Sequence, residues 1–103
     1  MTPTELKILH QLAEQKRLRD LATLTRANAE TALTTAEINK LAAEVCENLE
    51  DAPPEDLATI SRWLGWAEQE KSRLATQRQI QETQAETARS FAAVSDAKTR
   101  VIA

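Results

Sequence analysis

Few residues of this sequence could perform catalysis or hold a metal ion. The chain contains one histidine, His10, and one cysteine, Cys46, which lie far apart in the sequence. A zinc site needs several Cys and His ligands at short spacings, and the sequence offers no such set. The single glycine, Gly65, cannot form a glycine-rich loop around a phosphate group. We therefore expect a protein that is not an enzyme and that binds no cofactor or metal.

The isolated histidine and cysteine are predicted to have structural roles. His10 is predicted to lie on a helix surface. Cys46 follows Val45 and is predicted to pack as a small apolar side chain. The many glutamates have Lys or Arg residues nearby in the sequence, which is typical of solvated helix faces.

Two tryptophans, Trp63 and Trp66, are the strongest candidates for a binding function. They are three residues apart, so they are neighbours on a helix surface, on the flank of an apolar stripe. Both indoles could fold over that stripe and widen a thin core, or at least one could remain exposed as an anchor for a partner protein. We favour partner binding, because a pair of helices has little surface with which to cover two indoles. Gly65 costs about 1 kcal/mol relative to alanine inside a helix, which suggests a close backbone approach there.

The fold is predicted from a single interruption of otherwise helical composition. Pro53 and Pro54 lack backbone N–H groups and cannot continue a helix, although they can begin the next one. The predicted fold is all-α, a long antiparallel two-helix coiled-coil hairpin with a Pro-Pro bend near the middle. It forms one domain over residues 1–103, with helix 1 at about 3–50, the bend at 51–53 and helix 2 at about 54–101. Thr2-Pro3-Thr4-Glu5 matches a capping box at the start of helix 1.

The apolar stripe of helix 1 is predicted to change register. Ile38, Leu41 and Val45 keep a three–four spacing that steps back by heptads to Thr31 and Leu24. Leu9, Leu12 and Leu33 do not share this register, which indicates a stutter or an imperfect supercoil.

The second helix has a more regular stripe, which is predicted to shift after Ala88 towards Phe91, Val94 and Val101. A chain that folds back at residue 52 would place Val45 against Ile60, Leu41 against Leu64 and Ile38 against Ala67. The predicted stripe consists of Leu57, Ile60, Leu64, Ala67, Lys71, Leu74, Arg78, Gln81, Ala85, Ala88 and Ala92.

Charge is unevenly distributed along the chain. The formal net charge of −3 argues against binding to duplex nucleic acid, which selects basic surfaces. From Leu41 to Ser61 the charged residues are all acidic, with no Lys or Arg. This acidic bend could meet a basic surface on a partner, or it could simply aid solubility. The acidic partner-binding candidates beside the bend are Glu50, Asp51, Glu55 and Asp56.

The sequence predicts a cytoplasmic protein. A lone cysteine allows no internal disulfide, which suits a reducing compartment. No signal peptide is evident, and no apolar run approaches the length of about 20 residues that a membrane-spanning helix needs.

The segment Asp56–Lys71, which reads DLATISRWLGWAEQEK, continues through Leu74 into a helix rich in Arg, Gln and Ala. Together with the capped start, the acidic bend and the two-helix plan, it resembles the descending arm of FliJ/YscO-type proteins. These are small cytoplasmic coiled-coil components of flagellar and type III secretion export machines. They resemble the central stalk of rotary ATPases, insert into the export ATPase ring and link it to the export gate. The resemblance therefore implies a stalk-like adaptor that binds the export ATPase and the export gate.

Two other functions fit the same sequence. The chain could be a homo-oligomeric structural scaffold of phage type or another type, in which two hairpins form a four-helix bundle. It could also be a secretion chaperone that holds a disordered client. An enzyme or a nucleic-acid-binding protein is a weaker interpretation of the sequence.

Overall fold

Two long α-helices make up the described part of the chain. The computed structural model describes residues 1–51 and 57–102. Helix α1 spans Pro3–Asp51 and helix α2 spans Leu57–Ile102, and the described residues contain no strand. The helices pair in antiparallel orientation, so the predicted all-α hairpin is confirmed. Asp51, predicted to lie in the bend, belongs to α1. The other predicted bend residues, Ala52 and Pro53, and the predicted start of helix 2 at Pro54 lie outside the described residues.

The first turn of α1 has the predicted capping box. The Glu5 backbone N–H donates to Thr2 Oγ1 at 3.2 Å, and the Thr2 N–H donates to Glu5 Oε2 at 3.4 Å. Pro3 occupies the first helical position, where a missing N–H leaves no intrahelical bond unmade. The reciprocal bonds satisfy donors that the helix itself cannot pair, which fixes the start of α1.

The chain divides into two compact units, each containing a piece of both helices. The terminal unit combines Met1–Glu30 with the described part of Gln81–Ala103, and the central unit is Thr31–Ile80. In the central unit, Leu41, Ala67 and Leu74 form a buried apolar cluster against which Ile38 and Val45 pack. Leu41 and Leu74 are only 8% and 3% exposed, which makes them the best-buried large apolar side chains of this unit.

The contact between the two helices, here called the seam, contains small and polar side chains in the terminal unit. Ala85 and Ala88 are buried, and so are Ser95 and Thr99. The Ser95 hydroxyl donates a hydrogen bond to the Asp20 carboxylate, and Lys16 Nζ donates to the same carboxylate at 2.9 Å. The Thr99 hydroxyl donates to the Ser95 carbonyl oxygen of its own helix at 2.9 Å and lies 3.3 Å from the Ala13 carbonyl oxygen of α1. Polar groups therefore join the helices here, where an apolar cluster does so in the central unit.

The predicted register change in α1 is wrong. The least exposed residues of α1 keep one three–four spacing from one unit to the other, while Leu9, Leu12 and Leu33 are exposed. The apolar pattern misled the prediction because the seam positions of the terminal unit hold polar or small residues. The seam residues of α1 are His10, Ala13, Arg17, Asp20, Leu24, Ala27, Thr31, Thr34, Ile38, Leu41 and Val45.

The predicted stripe of α2 is confirmed at most of its positions, but its shift after Ala88 is wrong. Leu57 and Lys71 are exposed, whereas Ile60, Leu64 and the following stripe residues are buried or half-buried. Beyond Ala88 the seam continues without any change of spacing, and the predicted replacements Phe91, Val94 and Val101 are exposed. The continuing seam residues are Ala92, Ser95, Thr99 and Ile102.

The pairing of the helices also differs from the simple fold-back at residue 52. That rule would place Asp20 beside Gln84, but Asp20 accepts a hydrogen bond from Ser95. In the central unit Leu41 shares its cluster with Ala67 and Leu74. The described helices end at Asp51 and begin at Leu57, so opposing residues have higher numbers on α2 than the rule assumes.

We expect Leu41→Ala to lower the free energy of unfolding by about 2 kcal/mol or more, because it opens a cavity in the apolar cluster. The matched control is Leu18→Ala, which removes the same atoms from an exposed position of α1. This control should change stability by less than about 0.5 kcal/mol. Urea unfolding followed by far-UV circular dichroism measures both values. Equal losses in the two variants would contradict the assigned seam.

The Asp20 carboxylate should make the terminal unit sensitive to acid. The hydrogen bond from Ser95, and secondarily the one from Lys16, lower the pKa of Asp20 below its ordinary value. A lowered pKa adds stability above the pKa of the unfolded chain, and this stability is lost as the pH falls through the folded-state pKa. Ser95→Ala should therefore lower the Tm at pH 7 and reduce the further fall in Tm between pH 7 and pH 2.

The matched control for this experiment is Ser90→Ala. The Ser90 hydroxyl is exposed and donates to the Glu86 carbonyl oxygen of its own helix. Thermal unfolding of this variant should follow the wild-type pH profile. If the Ser90 and Ser95 variants have the same profile, Asp20 is not the source of the acid sensitivity.

Candidate partner-binding surface

The exposed apolar residues of α2 lie beside the seam and follow the same seven-residue repeat. If the seam residues are labelled a and d of a heptad, these residues fall at the neighbouring positions g and c, here called the g/c flank. Apart from Leu57, every exposed large apolar side chain in the described part of α2 lies on this flank. These side chains are Trp66, Ile80, Phe91, Val94 and Val101.

In the central unit the g/c flank contains both tryptophans that were predicted to bind a partner. Trp66 is 51% exposed, and Trp63, one turn before it at a g position, is half-buried. Neither indole belongs to the buried cluster of Leu41, Ala67 and Leu74. One indole is therefore partly packed over the stripe, and the other remains exposed. Trp63 is partly covered by the hairpin, whereas half of the Trp66 surface faces solvent.

Helix α1 contributes further residues to this flank. Leu33, at a c position, is 67% exposed. The pKa of Arg73 is raised chiefly by the hydrogen-bonded Glu70, and also by the charge of Glu37 on the opposite helix. Because Glu37 and Arg73 occupy g and c positions, this interaction places the two g/c flanks of the central unit on one side of the seam.

Two of the four acidic partner-binding candidates lie within the described residues. Asp51 falls at a g position and Glu50 at the outward f position beside it, and both are exposed. Glu55 and Asp56 lie outside the described residues. On the g/c flank of the central unit, acidic residues outnumber the two basic ones, Lys40 and Arg73. The acidic residues of this flank are Glu37, Glu44, Glu47, Asp51 and Glu70.

The opposite side of the seam in the central unit has a shallow apolar groove. Ile38, Val45 and Ala67 line it, together with Cys46 and Lys71. Cys46 is exposed there, so its predicted packing is wrong. It falls at a b position, which is too far around the helix from the seam to be covered by α2. The groove therefore has an accessible thiol beside apolar side chains.

His10 was predicted to lie on the surface, and this prediction is wrong. It is half-buried at an a position of the seam, and its Nδ1 atom is buried without a hydrogen-bond partner among the described residues. The pKa of Glu14 is lowered mainly by the hydrogen bond from Arg17, and to a smaller extent by His10. Counting back by heptads from Leu24 through Arg17 reaches His10, so the spacing contained this signal although the residue types hid it.

The described residues contain no arrangement typical of a metal site or of a membrane-spanning helix. No group of three or more His, Cys, Asp or Glu side chains within residues 1–51 and 57–102 is arranged to hold a metal ion. Neither α1 nor α2, as far as they are described, has a stretch long and apolar enough to cross a membrane. The exposed g/c flank is a candidate binding surface because it combines Trp66 with other exposed apolar side chains.

Known proteins do not assign that function. No protein-family model, no curated protein and no solved structure matches this chain.

Gly65 does not serve a close approach within the hairpin. A Cβ atom added at Gly65 would have no atom within 4 Å, apart from its own helical neighbourhood, in the described structure. Gly65→Ala should therefore raise the free energy of unfolding by about 1 kcal/mol, the difference in helix propensity. Urea unfolding of the purified variant measures this gain. A loss of stability would show that the backbone at Gly65 is crowded.

Proposed function

We propose that this protein is a non-catalytic coiled-coil adaptor of a flagellar or type III export apparatus in the cytoplasm. Its function is to bind partner proteins, with the g/c flank of the central unit as a docking surface. The observation that carries this proposal is the exposure of Trp66 beside the half-buried Trp63. Tryptophan is enriched among the residues that dominate binding energy at protein interfaces.

The side chains of this flank favour the docking of a helix or a shallow surface of a partner protein. Trp66 and Leu33 offer apolar area, and Glu44 and Glu47 add negative charge to the same flank. A partner with an apolar centre and a basic rim would complement both features. Because both helices of the docking surface are already formed, little conformational entropy is lost on binding.

The assignment to an export apparatus is supported by the resemblance of Asp56–Lys71 to FliJ/YscO-type proteins. Trp63 and Trp66 lie within this segment, so the residues that carry the resemblance include those that form the docking surface. In such an adaptor the expected partners are the export ATPase and the export gate. A paired-helix hairpin suits a stalk because it presents long exposed flanks without an enclosed pocket.

Affinity capture tests the proposed partners. The tagged protein is purified from its own cells, and co-purifying proteins are identified by mass spectrometry. Recovery of an export ATPase or an export-gate protein is the expected result. Recovery of the chain alone would favour the structural scaffold, and recovery of disordered export substrates would favour the chaperone.

The double variant Trp63→Ala with Trp66→Ala should weaken binding to a captured partner by about tenfold or more, because it removes the aromatic anchors. Far-UV circular dichroism should show that helicity is largely retained. Titration calorimetry with the purified partner measures the affinity. The matched control is Arg62→Ala with Gln69→Ala, which alters outward f positions of the same segment.

The control variant should bind like the wild type. A collapse of helicity in the tryptophan variant would show that the indoles belong to the core. Unchanged affinity with full helicity would remove this flank from the binding surface.

A further inference from the structure

The terminal unit also has an apolar g/c flank without a partner in the described chain. Phe91 is 57% exposed and Val101 is 87% exposed. Leu9 and Leu12 of α1 line a groove together with Lys98 and Ile102 of α2, so the two helices contribute to one continuous surface. The exposed apolar side chains of this flank are Leu9, Leu12, Phe91, Val94 and Val101.

Basic residues surround this apolar surface. Of the charged residues at its g and c positions, only Glu5 and Glu30 are acidic. The basic ones are Lys16, Arg19, Arg26 and Lys98. Arg26 and Glu30 line a second, more polar groove of the terminal unit with Gln84. The g/c flank of the terminal unit is thus apolar and basic.

The g/c flank of the central unit has the complementary character. It is apolar at Leu33, Trp66 and Ile80, and its charged residues are mainly acidic. Each flank therefore has what the other needs, namely apolar area to bury and charge of the opposite sign. Complementary charge sets the register of an interface and suppresses pairing between like flanks.

We propose that the g/c flank of the terminal unit in one chain docks on the g/c flank of the central unit in a second copy of this chain. Phe91, Val94 and their neighbours lie against Leu33, Trp66 and Ile80. Arg19 and Arg26 meet the acidic residues that include Glu44 and Glu47. When each copy supplies both flanks, the contact is reciprocal and closes a dimer, which contains a four-helix arrangement.

The other side of the seam has the shallow apolar groove of the central unit, but α2 contributes no large apolar side chain to it. The e and b positions of α2 hold Ser, Glu, Ala, Gly, Gln, Arg and Asp residues and no large apolar side chain within Leu57–Ile102. Leu18 and Leu21 of α1 are exposed on that side. Helices whose apolar positions extend from a and d onto one flank are typical of bundles with more than two helices.

This dimer does not depend on the export function proposed above. It would nevertheless use Trp66, which is also the proposed anchor for an adaptor partner. Self-association and partner binding would then exclude each other on the central unit. A partner would have to displace the second copy. High protein concentration would therefore favour the dimer over the complex with a partner.

Charge exchange between the two flanks tests the proposal without removing any apolar residue. One variant carries Arg19→Glu with Arg26→Glu, which makes both flanks acidic. The other carries Glu44→Lys with Glu47→Lys, which makes both flanks basic. All four residues are exposed, so both hairpins should fold.

We expect the wild-type chain to have twice the monomer mass of 11.5 kDa in multi-angle light scattering, with dissociation on dilution. Each variant alone should dissociate at a concentration about tenfold or more above that of the wild type, because like charges then face each other. An equimolar mixture should recover the dimer, because the acidic flanks of one variant meet the basic flanks of the other.

The matched control is Lys7→Glu with Arg89→Glu, which makes the same charge change at e positions of the terminal unit. Arg89 pairs there with Glu86 in an exposed salt bridge of little energetic value. This control should dimerise like the wild type, and circular dichroism should show equal helicity in all variants.

The proposal is overturned if the wild type remains a monomer up to about 1 mM. It is also overturned if the mixture of the two variants does not associate, or if the control loses the dimer as readily as the flank variants. A monomer that sediments with anionic lipid vesicles would assign the basic apolar flank to a membrane surface instead. None of these results depends on an export partner, so the test is separate from that of the proposed function.

Discussion

Two paired helices can bury only one stripe of each helix against the other, and this constraint governs the rest of the structure. Within residues 1–51 and 57–102 no further element covers the remaining apolar side chains, so leucines, valines and a tryptophan face solvent. Soluble monomers rarely expose large contiguous apolar patches unless those patches have a function. The exposed g/c flanks therefore follow from the fold itself, and they supply the apolar area on which the proposed binding function rests.

The two helices are held together by different interactions in the two units. In the central unit, Leu41 and Leu74 bury apolar surface, which stabilises the pair without regard to direction. In the terminal unit, Asp20 and Ser95 join the helices through a hydrogen bond between partly buried groups. Buried polar contacts add little net stability, but they can specify one register because alternatives leave a polar group unpaired. The hairpin thus combines a stabilising segment with a specifying one.

The fold could be predicted from the sequence because its signals are local. Helical composition, a single break at Pro53 and Pro54 and the capping box at Thr2 require no knowledge of tertiary contacts. The seam of the terminal unit could not be predicted in the same way. His10, Arg17 and Asp20 occupy positions that hydrophobicity would assign to solvent, while Leu12 and Phe91 are exposed. The flank position of Trp63 and Trp66 followed from spacing, but the unequal exposure of the two indoles depends on how the paired helix covers them.

The regular seven-residue spacing of the seam affects how firmly the register of the two helices is specified. On α2 the seam of the terminal unit repeats small residues, with Ala85 followed one heptad later by Ala92, and Ala88 followed by Ser95. Sliding α2 along α1 by one heptad would exchange one small side chain for another at most of these positions. Asp20 would then face Ala88 or Ile102 in place of Ser95 and would lose its hydroxyl donor. The hydrogen bond between Asp20 and Ser95 therefore distinguishes one register of the terminal unit from its neighbours, which the small side chains alone would not do.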